Sequence, residues 1–113
     1  MEFEINGKLR ELKFGIGFVR KLNEIYSVER DGVAVDFGIG MAAIGLSQYN
    51  PATLSDVIRC SAQGNPSQKQ VDDAIEKYAE KHGEINELFN EVNEAMGKSS
   101  IVKGTLEAFR NMN

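Results

Sequence analysis

The residues in this chain with the means to do chemistry are few: one histidine, His82, one cysteine, Cys60, and a glycine pattern, Gly38-Ile39-Gly40-Met41-Ala42-Ala43. An imidazole that moves protons needs an orienting partner and a nucleophile within reach. His82 lies instead on the apolar stripe of a helical pattern near its C-terminal end, where a basic ring complements the helix dipole. No Ser or Cys is recognisably paired with it, so its role reads as structural. A lone cysteine cannot close an internal disulfide, and Cys60 falls at the edge of a helix face as a small, largely apolar filler suited to a reducing compartment. One His, one Cys and scattered carboxylates have no metal-ligand spacing. The glycine pattern matches the G-x-G-x-x-A dinucleotide fingerprint and follows a possible strand. A nucleotide fold needs several parallel strands with crossover helices, however, and no run of further β-type segments follows. The nearest acidic candidate for a ribose contact, Asp56, sits inside a helical pattern. The glycines are read as a flexible loop leading into a helix, and no catalytic, cofactor-binding or metal-binding residue is assigned.

Composition bounds the size of the fold and narrows its partners. At 113 residues and 42% hydrophobic, the chain supports one modest core and a single domain over 1–113. Within it, 1–14 reads as a hairpin, 15–66 as a first helical part and 67–113 as an acidic helical part and tail. A formal charge of -4 opposes phosphate neutralisation, so no nucleic-acid partner is expected. Apolar stretches stop well short of the roughly 20 residues of a membrane span. Met1-Glu2-Phe3-Glu4 is acidic where a signal peptide would be basic. The expected compartment is the cytoplasm of the cell that makes the protein.

The elements are organised around residues 13–26. Phe14, Phe18, Leu22, Ile25 and Tyr26 fall on one helical stripe with Val19 at its edge, opposite Arg20, Lys21, Asn23 and Glu24. Before this helix, residues 2–13 alternate apolar and polar around Asn6-Gly7, a preferred pair for a two-residue type I′ turn. A hairpin is predicted, with its register open between that turn and a longer or bulged loop. After Tyr26, Asp31-Gly32 signals a turn and residues 33–37 a short extended piece. A helix resumes near Gly40, with Met41, Ile44, Gly45 and Tyr49 or Gln48 at helical spacing. Asn50-Pro51 reads as an N-cap and first helical residue, with Leu54, Val57, Ile58 and Ser61 inward. Phe14-Gly15-Ile16-Gly17-Phe18 and Phe37-Gly38-Ile39-Gly40-Met41 echo each other as two helix starts in which small residues allow close backbone approach.

Ser67 and Gln70 form a capping-box pattern opening a helix with Val71, Ile75, Tyr78 and His82 on one stripe. Beyond Gly83, a further helix places Ile85, Leu88, Phe89, Val92, Ala95 and Met96 on one face and glutamates outside. These two helices are expected to pair antiparallel or to run on with a kink. A last segment, Ile101 to about Arg110, groups Ile101, Val102, Thr105 and Phe109. Residues 67–97 carry eight acidic and three basic side chains, residues 98–113 one acidic and three basic. The acidic run is read as a solvated helix surface or as a face for a basic partner. The expected fold class is therefore α+β, mostly α: a short N-terminal β-hairpin packed on four to five helices.

In the order of its motifs the chain resembles the tail assembly chaperones of long-tailed phages, in the form found with phages of Gram-positive hosts. The resemblance is carried by Phe3-Glu4-Ile5-Asn6-Gly7-Lys8, Leu12-Lys13-Phe14-Gly15-Ile16-Gly17-Phe18, Asn50-Pro51 leading Leu54-Ser55-Asp56-Val57-Ile58, Pro66-Ser67, and Ile85-Asn86-Glu87-Leu88-Phe89-Asn90-Glu91-Val92. Gly45 departs from it, standing where a bulkier residue would be unsurprising. The resemblance implies a non-enzymatic protein that oligomerises and coats the tape-measure protein, keeps it soluble in the host cytoplasm, leaves as the tail tube polymerises and is absent from the mature virion. It also implies a short form beside a longer frameshifted form of the same protein, and a possible encounter with the tail tube protein. Leu88, Phe89, Val92, Met96, Phe109 and Met112 are then the expected partner-binding residues. The competing readings are a structural tail completion or tube-associated protein, and a small acidic regulator binding a basic partner through Glu84 to Glu94.

Overall fold

The computed structural model describes residues 1–111. Asn6 and Gly7 take φ of 53° and 77°, the left-handed pair that a type I′ turn requires. They join β1 (Glu2–Ile5) to β2 (Lys8–Glu11) with Phe3 opposite Arg10 and Glu4 opposite Leu9, so the two-residue register is the one built, without a bulge. Alternation along β1 buries Phe3 and Ile5 and leaves Glu2 and Glu4 outside. The hairpin is tied down beyond its own ladder. Lys13 N–H donates to the Ser61 carbonyl at 2.8 Å, Gln63 N–H donates to the Glu11 carbonyl at 3.0 Å, and Leu12 bridges Ala62.

Helix α1 (Ile16–Ile25) turns the expected stripe inward: Phe14, Phe18 and Leu22 are buried, and Val19, Ile25 and Tyr26 pack at the margin of the core. A second hairpin follows. Its strands, β3 (Ser27–Arg30) and β4 (Val33–Asp36), pair antiparallel across Asp31 and Gly32, whose φ values of 53° and 77° repeat the type I′ geometry. Residues 27–30 read in the sequence as a break in the helical pattern, because a strand with no buried face has no burial period to reveal it. All eight strand residues are exposed, and among the described residues no element packs extensively along the hairpin apart from its own ladder. Its base is fixed where Phe37 N–H donates to the Tyr26 carbonyl at 2.9 Å.

Helix α2 (Gly38–Ser47) begins two residues before Gly40 and presents a different face from the one the spacing suggested. Gly38, Ile39, Ala42, Gly45 and Leu46 are buried, while Met41, Ile44 and Tyr49 lie outside. Available space decides this. A Cβ on Gly38 would overlap Asn23 and Leu22 of α1, and one on Gly45 would overlap Thr53, so only the small-residue side fits between the neighbouring helices.

Helix α3 (Pro51–Ser61) is opened by Asn50, whose Oδ1 accepts the Ala52 N–H at 3.0 Å, and its Leu54, Val57, Ile58 and Ser61 are all buried as expected. Helix α4 (Gln68–His82) carries the full capping box: Ser67 Oγ accepts from Gln70 N–H at 3.1 Å and Gln70 Oε1 accepts from Ser67 N–H at 3.0 Å. Helices α5 (Asn86–Gly97) and α6 (Lys103–Asn111) complete the described chain. The expected pairing of α4 with α5 gives way to separate docking, with α4 on α3 and β1, and α5 on α2, α3 and α6. In the last segment Val102 and Leu106 are the buried pair, with Phe109 half-buried, whereas Ile101 and Thr105 face solvent. The stripe there runs 102, 106, 109, and Ile101 precedes the helix. The fold is α+β and mostly α, as expected, and the described residues form six helices and a second hairpin where four to five helices and one hairpin were predicted. One cluster of buried side chains draws on β1 and all six helices.

Candidate functional site

The chemistry-bearing residues are dispersed and occupied by packing. Cys60 is buried in α3, where desolvation pushes its thiol up to about 11, with Asp56 adding to the rise and Arg59 opposing it. His82 is exposed in the last turn of α4, with its ring 4.1 Å from that of Tyr78, so it sits on the helix stripe but outside the core. Among the described residues no three His, Cys, Asp or Glu side chains converge as metal ligands would. The dinucleotide-like glycines are not a loop: Gly38 and Gly40 form the first turn of α2. Gly38 N–H donates to Asn23 Oδ1 at 3.0 Å, and Gly40 lies under the ring of Phe109. The strand before them belongs to an antiparallel hairpin, so the parallel sheet of a nucleotide fold is not formed.

The residues expected to meet a partner are also accounted for by packing. Leu88, Phe89, Val92 and Met96 form the inner face of α5 and are at most 2% exposed. In the folded chain they belong to the core and are turned away from solvent. Phe109 is half-buried against α2, and Met112 lies outside the described residues.

The exposed apolar surface lies elsewhere, on the hairpin β3–β4 and the outer side of α2. Two-residue closure and antiparallel pairing put Val28, Arg30, Val33 and Val35 on one face of the hairpin and Ser27, Glu29, Ala34 and Asp36 on the other. Val28 is 54% and Val33 61% exposed, although they occupy the face that alternation marks for burial. Phe37 is 48% exposed at the hairpin base, and Met41 and Ile44 continue outward along α2 at 44% and 39%. No charged residue occurs between Asp36 and Asp56 in a chain that is 27% charged. A helix apolar around its whole circumference is normally buried on all sides. α2 is packed by α1, α3, α5 and α6, yet Met41 and Ile44 stay exposed and form an uncovered apolar strip along it.

Beside that face lies a shallow cavity of about 310 Å³ between α1, α2 and the start of α3. Gly45 lines it without a side chain, and Met41 and Ile44 form its apolar wall. The opposite rim is polar: Tyr26 donates its hydroxyl to Asp56 Oδ2 at 2.7 Å. Burial, with the Asp56 hydrogen bond and charge adding to it, pushes the Tyr26 hydroxyl up to about 12, against a lowering by Thr53. Gln48 and Asn50 add to the lining, while Tyr49 between them turns to α5, its ring edge-on to core Phe89 at 5.2 Å and its hydroxyl donating to Asn90 Oδ1 at 3.1 Å. The arrangement can cover apolar surface on another chain and has no groups placed for bond making. A signal for it was present in the sequence: a stretch apolar on every side in a chain with one core has one side too many.

A family model described as "Phage tail assembly chaperone protein, TAC" matches residues 2–110. No curated protein and no solved structure gives a significant match to the chain.

Proposed function

We propose that this chain, which belongs to the phage tail assembly chaperone family, acts without catalysis by coating the tape-measure protein in many copies and keeping it soluble until the tail tube polymerises around it. The observation that supports this reading is the uncovered apolar face of α2, Met41 and Ile44, beside the shallow cavity at Gly45. A client that is long and helical offers repeated apolar stripes, and a helix laid against such a face is held through contacts spaced three and four residues apart. Each contact is weak. Many copies along one client supply avidity without a deep site, and weak individual contacts let each copy leave when tube subunits compete for the same surface.

In this reading the chain works in the host cytoplasm and does not remain in the mature virion. A longer frameshifted form would join the same coat and carry any contact to the tail tube protein. The test is co-expression with the tape-measure protein of the same gene cluster, followed by size exclusion with light scattering. The expected product is a soluble complex with many copies of this chain per client, lost on Ile44→Asp although the variant folds. An insoluble client beside a free folded 12.5 kDa chain, with the frameshifted form also failing to rescue it, would overturn the reading. Mass spectrometry of purified virions separates an assembly factor, absent, from a structural tail component, present.

A further inference from the structure

The hairpin β3–β4 projects from the body without a covering layer, and a two-stranded hairpin alone is marginal in water; a third strand or a packed face is what normally stabilises one. Its two edges are not equivalent. A two-residue turn closes on a hydrogen-bonded pair, here Arg30 and Val33, and alternation makes Val28 and Val35 the next such pair. Glu29 on β3 and Ala34 on β4 therefore direct their backbone N–H and C=O away from the hairpin, to opposite edges. The β3 edge is protected by charge, with Glu29 and Arg30 adjacent. The β4 edge reads Val33-Ala34-Val35 with its one charge, Asp36, at the end of the strand away from the turn, and no proline or bulge interrupts it.

We propose that the β4 edge is a self-association surface, on which β4 of a second copy pairs antiparallel about a two-fold axis through Ala34. The inference rests on the multi-copy coating reading and names the contact between neighbouring copies. In this register Ala34 faces Ala34 of the second copy and exchanges both backbone hydrogen bonds with it, while Val33 faces Val35 and Val35 faces Val33. The pairing is self-complementary, as an isologous contact must be. The apolar faces of the two hairpins fall on the same side and merge into one four-stranded sheet. The equivalent pairing through β3 would set Glu29 against Glu29, and like charges directly opposed are destabilising. Charge thus selects the β4 edge and a copy of the same chain as its occupant. Strands this short bury less than the about 800 Å² per partner of a stable complex. The free protein therefore associates weakly and reversibly, and copies held side by side on a client pair more completely.

The test uses the full chain with sedimentation velocity over a concentration series. The wild-type mass is expected to rise above 12.5 kDa with concentration, and Ala34→Pro is expected to hold it at the monomer value. Proline at 34 removes an N–H that the hairpin itself does not use. Circular dichroism establishes whether this variant folds, and cysteine cross-linking decides independently if it does not. Directly opposed hydrogen-bonded residues stand about 5.5 Å apart at Cα, within disulfide reach. Ala34→Cys is therefore expected to give an oxidised dimer and Glu29→Cys none. A wild-type mass fixed at the monomer, equal cross-linking at both positions, or unchanged association of folded Ala34→Pro would each overturn the proposal. Loss of client retention in Ala34→Pro with self-association intact would also overturn it, by assigning the edge to the client. A client that stays insoluble while the Ala34→Cys dimer forms would reject the coating reading and leave this one standing.

Discussion

Tyr26, at the C-terminal cap of α1, is hydrogen-bonded through its hydroxyl to Asp56 in the second turn of α3, 2.7 Å from Oδ2. The bond spans the polar rim of the cavity beside α2 and fixes the point from which the hairpin β3–β4 leaves the body. A neutral phenol donates this bond and a phenolate cannot. The group's value rises from 10.0 unfolded to about 12 folded. The stability it contributes is therefore complete below pH 10 and is lost as pH climbs through 12. Alkaline unfolding followed by circular dichroism should show this loss, and Tyr26→Phe should flatten that part of the profile. At neutral pH the same substitution should cost about 0.5–1.5 kcal/mol, the usual net worth of one hydrogen bond.

Gly45→Ala should destabilise the fold by about 1–3 kcal/mol, as overpacking does in a closed interface. The added methyl would have to enter space held by the Thr53 side chain. Urea denaturation gives the difference directly. An unchanged midpoint would mean that α2 and α3 are less closely apposed than described.

Substitution on the two sides of the fold should separate core from surface. Phe89→Asp should abolish folding, since Phe89 is 2% exposed and even Phe→Ala at such a site costs about 3–5 kcal/mol. Ile44→Asp should leave the chain folded at a cost of about 1–2 kcal/mol, because its side chain is 39% exposed and gives up only part of the burial of a core isoleucine. Thermal melts of both variants, set beside client solubility for the one that folds, distinguish the two roles.

Ser67→Ala should cost about 1 kcal/mol by removing an N-cap acceptor, and Gln70→Ala should remove the reciprocal half of the box. Hydrogen exchange at the first turn of α4 would report the fraying, while Val71 and Ile75 keep the rest of the helix in place.

Much of this architecture was legible because local chemistry and burial agree. Asn6-Gly7, Asn50-Pro51 and Ser67/Gln70 each fix a backbone by contacts within a few residues, and α1, α3 and α4 carry one apolar stripe apiece. Two features were not legible. β3 has no buried face, so its strand leaves no alternation between core and solvent to read. In α2 the apolar residues lie all round, and the inward side was settled by which residues are small enough for the gaps left by α1 and α3. The same competition makes α5 prominent in the sequence: Leu88, Phe89, Val92 and Met96 are conspicuous because they are needed inside. Met41 and Ile44 looked like core and remain outside.

Val102 and Leu106, the buried residues at the end of the fold, are also among the last of the described chain to be synthesised, and α6 packs against α2, formed some sixty residues earlier. On the ribosome the core can therefore not close until α6 has emerged. Until then the side of α2 at Gly40, which Phe109 covers, stays open, and completing the domain closes that side while Met41 and Ile44 remain exposed.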